Sequence, residues 1–138
     1  MLRLRAGGHA LALPRMQGRE EPLAFHAWQP GDPLICGRFR VMEPAPDRPA
    51  VLPGVILVPL VAFDRSGRRL GHGKGYYDRT IAFLRQQNDR LLAIGLAFAC
   101  QEAAEVPAGP ADQHLDAVVT EQDVFVCSDR LAAMGLEA

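Results

Sequence analysis

The segment RRLGHGKGYYDRT, residues 68–80, combines residue types that can bind a phosphate group. Gly71, Gly73 and Gly75 alternate in it, and such glycines let successive backbone N–H groups point into one concavity. A helix beginning after Gly75 would add the partial positive charge of its N-terminus. Further charge comes from the basic side chains of Arg65, Arg68, Arg69, Lys74 and Arg79. The combination predicts a loop that binds a polyphosphate.

The loop matches neither of the two standard nucleotide motifs. In the dinucleotide fingerprint G-x-G-x-x-G, the third glycine would come one residue after Gly75. In the P-loop G-x-x-x-x-G-K-[ST], Gly73 and Lys74 could supply the central pair, but position 68 is Arg and position 75 is Gly. The hydroxyl that binds magnesium is therefore missing. A magnesium ion here needs another oxygen ligand, and Asp78 is the candidate.

Two other interpretations of the loop stay open on the residues alone. It could be a glycine-rich turn between a strand and a helix, with its arginines in solvent. It could also contact RNA, with Tyr76 and Tyr77 stacking on bases. The net charge of −1 argues against a large nucleic-acid footprint, so we expect no nucleic-acid partner.

The elements that must position this loop form a strand–loop–helix–strand unit. VILVP (55–59) is a continuous apolar run, typical of a strand covered on both faces. Helical spacing predicts a helix over residues 76–87, and LLAIGLAF (91–98) predicts the next strand. Such a unit has parallel strands joined by a right-handed crossover. The sequence therefore predicts an α/β fold, with a mostly parallel central sheet and helices packed on it in three layers.

The predicted topology also indicates where a ligand would bind. In such sheets ligands lie beyond the carboxyl ends of the strands. The glycine loop follows residues 55–59 and another loop follows residues 91–98, so the two can converge although they are distant in sequence. LDAVVT (115–120) is the third strand candidate.

The remaining elements are predicted from local signals. HALALP (9–14) indicates a short strand, and LAFHAW (23–28) an extended segment. PAPDRPAVLPG (44–54) carries four prolines and predicts a connector that is neither helix nor central strand. SDRLAAMG (128–135) predicts a short helix that begins at the N-cap Ser128 and stops at Gly135.

Length and composition indicate one cytoplasmic domain over residues 1–138. The chain is 49% hydrophobic and 22% charged, which is ordinary for a soluble globular protein. No apolar stretch approaches the ~18 residues of a membrane span. Cys36, Cys100 and Cys127 are too scattered for a zinc site or a disulfide framework, and we interpret them as small hydrophobic residues in a reducing compartment.

The string LVPLVAFDRSGRRLGHGKGYYDRTI (57–81) closely resembles one family, the 5-formyltetrahydrofolate cyclo-ligases, also called methenyltetrahydrofolate synthetases. The family signature looks like P-x-x-x-F-D-x-x-G-x-R-L-G-x-G-x-G-Y-Y-D. ALALP, FHAW, GDPL, GLAFACQ (95–101) and DAVVTE (116–121) also follow the family's order. The signature is matched by Pro59, Phe63, Asp64, Gly67, Arg69, Leu70, Gly71, Gly73, Gly75, Tyr76, Tyr77 and Asp78.

The resemblance implies an activity. These enzymes use ATP and Mg²⁺ to convert 5-formyltetrahydrofolate into 5,10-methenyltetrahydrofolate, with release of ADP and phosphate. The formyl oxygen takes up the γ-phosphoryl group, N10 attacks the activated carbon, and phosphate leaves. ATP and a reduced folate are thus the expected partners, with no membrane partner, and the protein is expected to be a monomer or a weak homo-oligomer.

The resemblance also implies roles for residues of the loop. Residues matching the ATP-binding loop are Arg69, Leu70, Gly71, His72, Gly73, Lys74, Gly75, Tyr76 and Tyr77. Those expected to contact the folate as well are His72, Gly73, Lys74, Gly75 and Tyr76. Those expected to act in catalysis are Arg69, Lys74 and Tyr76.

Asp78 and Asp112 match the two magnesium ligands of the family. Asp116 lies close to Asp112 in sequence and is an alternative second ligand, and the histidine often found before the second aspartate is Ala111 here. Phe25 and Trp28 could line a flat pocket for the pterin ring, with burial in the core as the alternative. Glu43-Pro44 is compatible with a turn that has no chemical role.

The chain departs from the family at its N-terminus. Family members usually have a further N-terminal segment that contacts ATP and folate, so the predicted fold is N-terminally shortened. A miscalled or cut start, a short active member and a non-catalytic relative are all open. The alternative function is therefore a nucleotide- or folate-binding protein without turnover.

Overall fold

The computed structural model describes residues 7–133. The chain divides after Pro53 into two compact units, Met1–Pro53 and Gly54–Ala138. The single domain over residues 1–138 stays a prediction. The predicted helix stop at Gly135 lies outside the described residues.

The first unit is built from short antiparallel strands. Its strands are β1 (Leu11–Arg15), β2 (Ala24–Trp28), β3 (Leu34–Cys36), β4 (Met42–Pro44) and β5 (Ala50–Val51). One sheet has the order β1-β2-β5, and β3 and β4 form a separate pair. The predicted strand at residues 9–14 is confirmed as β1, and the predicted extended segment at residues 23–28 contains β2. The predicted connector 44–54 is wrong in part, because it contains the end of β4 and the two-residue β5, which lies at the edge of its sheet.

The second unit contains the predicted βαβ arrangement. Its elements are β6 (Val55–Val58), β7 (Ala62–Phe63), β8 (Arg69–Leu70), α1 (Tyr76–Gln87), β9 (Leu92–Leu96), β10 (Ala117–Val119), β11 (Val124–Val126) and α2 (Arg130–Ala133). The main sheet has the order β11-β10-β9-β6. β6, β9 and β10 are parallel, and β11 pairs antiparallel with β10. The sheet is therefore mixed, with parallel pairing on both sides of β9.

The prediction that VILVP is covered on both faces is wrong. β6 lies at the edge of the sheet, and its residues alternate between buried and exposed. Ile56 and Val58 are buried, whereas Val55 and Leu57 are exposed. Within residues 7–133, α1 is the one helix longer than four residues, so the three-layer arrangement is not confirmed.

Local signals identify the helices well. α1 spans residues 76–87 as predicted, and Ile81 and Leu84 are buried. α2 begins at Arg130, two residues after the predicted N-cap Ser128, whose Oγ accepts a hydrogen bond from the Arg130 backbone N–H over 3.3 Å. The sequence does not predict β3, β4, β7, β8 or β11, because strands of two or three residues are stabilised by their partners rather than by their own pattern.

Two further sequence expectations can be compared with the structure. No helix in the described part of the chain is long and apolar enough to cross a membrane. All three cysteines are free. Cys36 and Cys100 are exposed, and Cys127 is half-buried.

Gly67 fixes the β7–β8 hairpin against the segment that leads into β10. Its φ is +94°, and its carbonyl accepts a hydrogen bond from Leu115 N–H over 2.8 Å. A Cβ at this position would lie 2.6 Å from Leu115 O and 2.9 Å from Cys127 Cβ. Only glycine fits both the backbone conformation and the contact.

We expect Gly67→Ala to lower the free energy of unfolding by more than about 2 kcal/mol, because backbone strain and overpacking both contribute. Gly31→Ala is the matched control, since Gly31 has φ +97° but a Cβ there would meet nothing within 4 Å. Urea unfolding of both variants measures the difference. An equal decrease in the free energy of unfolding in Gly67→Ala and Gly31→Ala would show that the contact with Leu115 adds nothing to the backbone strain.

Candidate active site

The glycine loop is held in place by a hairpin that is organised around Asp64. The buried Asp64 Oδ1 accepts hydrogen bonds from Ser66 N–H (3.0 Å), Ser66 Oγ–H (2.6 Å) and Arg68 N–H (3.1 Å). Asp64 Oδ2 accepts one from Val106 N–H over 2.9 Å. Burial raises the pKa of Asp64, but the hydrogen bonds from Ser66, Val106 and Arg68 outweigh it, so the pKa lies below its usual value. This carboxylate therefore fixes the turn between β7 and β8 and ties it to residue 106.

The glycine loop leads directly into the N-terminus of α1. Gly73 (φ +89°) and Gly75 (φ +71°) both have left-handed backbone conformations. Gly75 is the N-cap and provides no side-chain cap, so no side chain at that position occupies the first N–H groups of the helix. His72, Gly73 and Lys74 are exposed. An exposed loop at an uncapped helix N-terminus is suited to an anion.

Most of the basic side chains near the loop are paired within the protein. Arg65 forms an ion pair with Glu102 (3.2 Å), and Arg68 forms one with Glu105 (3.3 Å). The guanidinium of Arg79 lies over the ring of Tyr76, 5.0 Å from its centroid. The expectation of side-chain charge around the loop must be modified accordingly, because these cations already have partners.

Arg69 lies beneath the loop rather than in it. Its side chain is only 5% exposed; its Nη1–H donates to Pro59 O over 3.3 Å, and its Nη2 lies 3.5 Å from Asp78 Oδ1. The centroid of the Tyr77 ring lies 5.9 Å from the guanidinium carbon. Burial raises the pKa of Tyr77, and the charge of Arg69 opposes that shift. Leu70 follows in β8, is exposed, and accepts a hydrogen bond from Val61 N–H through its carbonyl.

The structure brings Asp78 next to the segment that carries Asp112. The N–H of Gln113, the residue after Asp112, donates to Asp78 Oδ1 over 3.1 Å. Asp112 is exposed and closes its own turn, because its Oδ2 accepts from Gly109 N–H over 2.7 Å. The loop after β9 thus returns to the first turn of α1, as the topology predicts.

Asp116, the alternative second ligand, has a different environment. It is 1% exposed, and its carboxylate accepts from Ala93 N–H (2.8 Å), Ser128 Oγ–H (2.6 Å) and Arg85 Nη2–H (3.3 Å). Arg130 Nε lies 3.6 Å from Oδ1. Since both oxygens already have donors, Asp116 joins β9, β10, α1 and α2.

The two candidate pterin-binding aromatics lie in the first unit. Phe25 and Trp28 are three residues apart in β2, so they lie on opposite faces of the β1-β2-β5 sheet. They therefore do not line one pocket from the same sheet face. Phe25 is buried, whereas Trp28 is half-buried and its indole N–H has no hydrogen-bond partner among the described residues.

The turn suggested for Glu43-Pro44 is wrong, because both residues belong to β4. The side chain of Glu43 is buried, and its Oε2 accepts from Met16 N–H over 2.8 Å. Arg15 Nη1 lies 3.9 Å from Oε1. Only the neighbouring proline marks this position in the sequence, so the buried carboxylate could not be recognised from the sequence alone.

The second unit defines a class of α/β protein in which the β7–β8 hairpin and then a glycine loop connect a parallel strand, β6, to the N-terminus of a helix. The particular family follows from comparison. A model of the 5-formyltetrahydrofolate cyclo-ligase family matches residues 1–121. The chain belongs to this family.

The individual relatives to which the chain is similar carry the names of this family. The chain is 38% identical over 107 residues to the 5-formyltetrahydrofolate cyclo-ligase of Escherichia coli (strain K12), covering 75% of this chain and 58% of the relative. It is similar to the NMR structure of Aquifex aeolicus 5,10-methenyltetrahydrofolate synthetase, with a TM-score of 0.71, 35% identity, and coverage of 87% of this chain and 59% of that one. The synthetase of Mycoplasma pneumoniae, at 23% identity and a TM-score of 0.61, supports the fold; the match covers 91% of this chain and 60% of that one. The chain thus spans less than two thirds of the length of these relatives.

The environment of Asp64 gives a prediction about stability and pH. Because its folded-state pKa is lowered, Asp64 contributes stability above its unfolded-state pKa of about 3.9, and this contribution is lost as the pH falls through the folded-state value. Asp64→Asn cannot titrate and loses acceptors for buried donors, so we expect it to lower the free energy of unfolding at pH 7 by about 1–3 kcal/mol. Urea unfolding between pH 7 and pH 2 should show the difference from wild type shrinking as the pH falls. A difference that stays constant over this range would contradict the assignment.

Proposed function

We propose that this chain is an ATP- and Mg²⁺-dependent 5-formyltetrahydrofolate cyclo-ligase that forms 5,10-methenyltetrahydrofolate, ADP and phosphate. One observation carries the proposal: the Gln113 N–H bond to Asp78 holds the segment with Asp112 against the helix that the glycine loop begins. Membership of the family supplies the reaction. This contact supports a site in which the loop and the two carboxylates together bind ATP with a metal ion.

The polyphosphate is proposed to bind mainly through backbone N–H groups of residues 71–77, with Lys74 at the exposed side of the loop. The helix N-terminus favours negative charge at the same position. Arg69 is proposed to act from beneath, where its buried charge lies next to Asp78. This arrangement stabilises the charge on the transferring group without covalent participation by the protein.

Asp78 and Asp112 fit the requirements of a magnesium ion. The described residues contain no group of three or more His, Cys, Asp or Glu side chains that could hold a metal alone. Mg²⁺ needs no such group, because it commonly binds one or two carboxylates together with substrate phosphates and water. Among the described residues, the two donors near Asp78 both contact Oδ1, and we propose that Oδ2 binds the metal. Bound there, the ion would neutralise phosphate charge.

The reaction then requires ATP and the folate to be bound together, with the formyl oxygen directed at the γ-phosphorus. The formyl oxygen attacks the γ-phosphorus and ADP leaves; N10 attacks the formyl carbon, loses its proton, and phosphate leaves. We propose that His72, Lys74 and Tyr76 orient the folate next to the loop. Within the first unit, the indole N–H of Trp28 lacks a partner among the described residues, whereas Phe25 is buried in the core.

The cellular location is proposed to be the cytoplasm. The free thiols of Cys36, Cys100 and Cys127 fit a reducing compartment. The oligomeric state stays a prediction.

The proposal is tested by the absorbance of the methenyl product, with 5-formyltetrahydrofolate, ATP and MgCl₂. Asp78→Asn and Asp112→Asn should each lower kcat/KM by about 100-fold or more, because each removes a metal ligand. Asp129→Asn makes the same change of charge at a position next to α2, away from the glycine loop in sequence, and should behave as wild type.

Three results would contradict the proposal. Turnover that survives in both Asp78→Asn and Asp112→Asn would remove these residues from the site. An equal loss in Asp129→Asn would show a general effect of charge. ATP bound by the wild type without any turnover would establish the binding protein in place of the enzyme.

A further inference from the structure

Arg85, near the end of α1, makes contacts that none of the sequence motifs indicate. Its Nη1–H donates to Gln113 Oε1 over 3.1 Å, and its Nη2–H donates to His114 O over 2.7 Å. Nη2 also lies 3.3 Å from Asp116 Oδ2. One guanidinium therefore binds two consecutive residues of the segment before β10 and the buried carboxylate that immediately precedes the strand.

These contacts bear on the position of Asp112. The segment 109–114 meets α1 at two places, through the Gln113 N–H bond to Asp78 in the first turn and through Arg85 in the last. Asp78 and Arg85 are seven residues apart, or about 10 Å along the helix. Both helix residues reach the same short stretch, Gln113 and His114, and contacts from two points of the helix restrict a rotation of the segment that a single hydrogen bond would permit.

Leu115 anchors the C-terminal end of this segment through its bond to Gly67 O, but the described hydrogen bonds of residues 109–112 do not extend beyond their own turn. Asp112 is exposed, and the hydrogen bonds between Asp112 and Gly109 are local to the turn. Local bonds of this kind shape a turn but do not orient it relative to a helix. The Arg85 side chain, in contrast, is only 17% exposed and is anchored by a carboxylate that is 1% exposed. Its position is therefore fixed before any ligand binds.

We propose that Arg85 is a positioning residue, which holds segment 109–114 against α1 so that Asp112 stays beside Asp78. The inference rests on the proposed function only in assigning a metal to these two carboxylates. In this proposal Arg85 acts through Gln113 and His114, the protein groups that it binds, and not on substrate or metal. Residues that orient metal ligands in this way commonly change metal affinity by about 10–100-fold when they are replaced.

The test compares Arg85→Met with Arg130→Met. Arg85→Met keeps the aliphatic stem and removes every donor. Arg130 is the matched control, because it also pairs with Asp116, over 3.6 Å, but makes its other contact with Asp89 O rather than with segment 109–114. Two properties are measured. The first is hydrogen exchange of the backbone amide of Gln113. The second is the affinity for Mn²⁺ in the presence of a non-hydrolysable ATP analogue, with free Mn²⁺ detected by electron paramagnetic resonance.

We expect Arg85→Met to speed exchange of the Gln113 amide several-fold and to weaken Mn²⁺ binding by about 10-fold, with neither change in Arg130→Met. Unchanged exchange in Arg85→Met, or faster exchange with unchanged Mn²⁺ affinity, would overturn the proposal. Equal changes in Arg130→Met would also overturn it, since they would trace the effect to Asp116. If wild type binds no Mn²⁺, the metal assignment under the proposed function fails, and exchange of the Gln113 amide alone decides whether Arg85 positions the segment.

Arg85→Met leaves Asp116 without one of its partners, and a second variant is therefore needed in case Arg85→Met does not fold. Gln113→Leu removes an acceptor of Arg85 at the loop and leaves the pair with Asp116 intact. We expect it to change exchange and Mn²⁺ affinity in the same direction as Arg85→Met, but less. A folded Gln113→Leu protein that matches wild type in both measurements would count against the proposal.

Discussion

A buried carboxylate must be satisfied by donors, and this requirement organises the second unit around Asp64 and Asp116. An unsatisfied charge in the interior costs several kcal/mol, so each of these aspartates is stable only where several donors converge. Asp64 gathers Ser66, Arg68 and Val106, and thereby fixes the hairpin before the glycine loop. Asp116 gathers Ala93, Ser128 and Arg85, and thereby fixes the end of the segment that carries Asp112. The two loops of the candidate site are thus each anchored by a carboxylate outside it.

The four aspartates differ in how deeply they are buried, and this difference indicates two different roles. Asp64 and Asp116 are almost fully buried and accept hydrogen bonds through both oxygens. Asp78 and Asp112 remain accessible, and in each the donors described above contact one oxygen. A metal ion must be reached by an oxygen that the fold does not already use. This difference favours Asp112 over Asp116 as the proposed partner of Asp78, although spacing in the sequence does not distinguish them.

The features that could be predicted from sequence are local ones. The helix at residues 76–87 follows from the spacing of its apolar residues, and the start of α2 follows from Ser128. The parallel pairing of β6 and β9 follows from the helix that connects them. The exposure of Val55 and Leu57 could not be predicted, because an apolar run does not reveal whether its strand lies at an edge. The contacts of Arg85 and Glu43 could not be predicted either, because their partners are 28 and 27 residues away in the chain, where no spacing rule applies.

The distribution of charge around the glycine loop decides which cations could respond to a phosphate. Arg65 and Arg68 are bound to Glu102 and Glu105 in pairs with at least one well-exposed partner, and such pairs contribute about 0–1 kcal/mol. A polyphosphate, with more negative charge than one carboxylate, could therefore draw either arginine away at little cost. Arg69 cannot move in this way, because its side chain is buried and donates to Pro59 O. Its effect on a ligand must be exerted from a fixed position, through the field at the loop and through its hold on Asp78. The exposed Arg65 and the half-buried Arg68 thus suit a response to a bound ligand, whereas Arg69 suits the preorganised stabilisation that phosphoryl transfer requires.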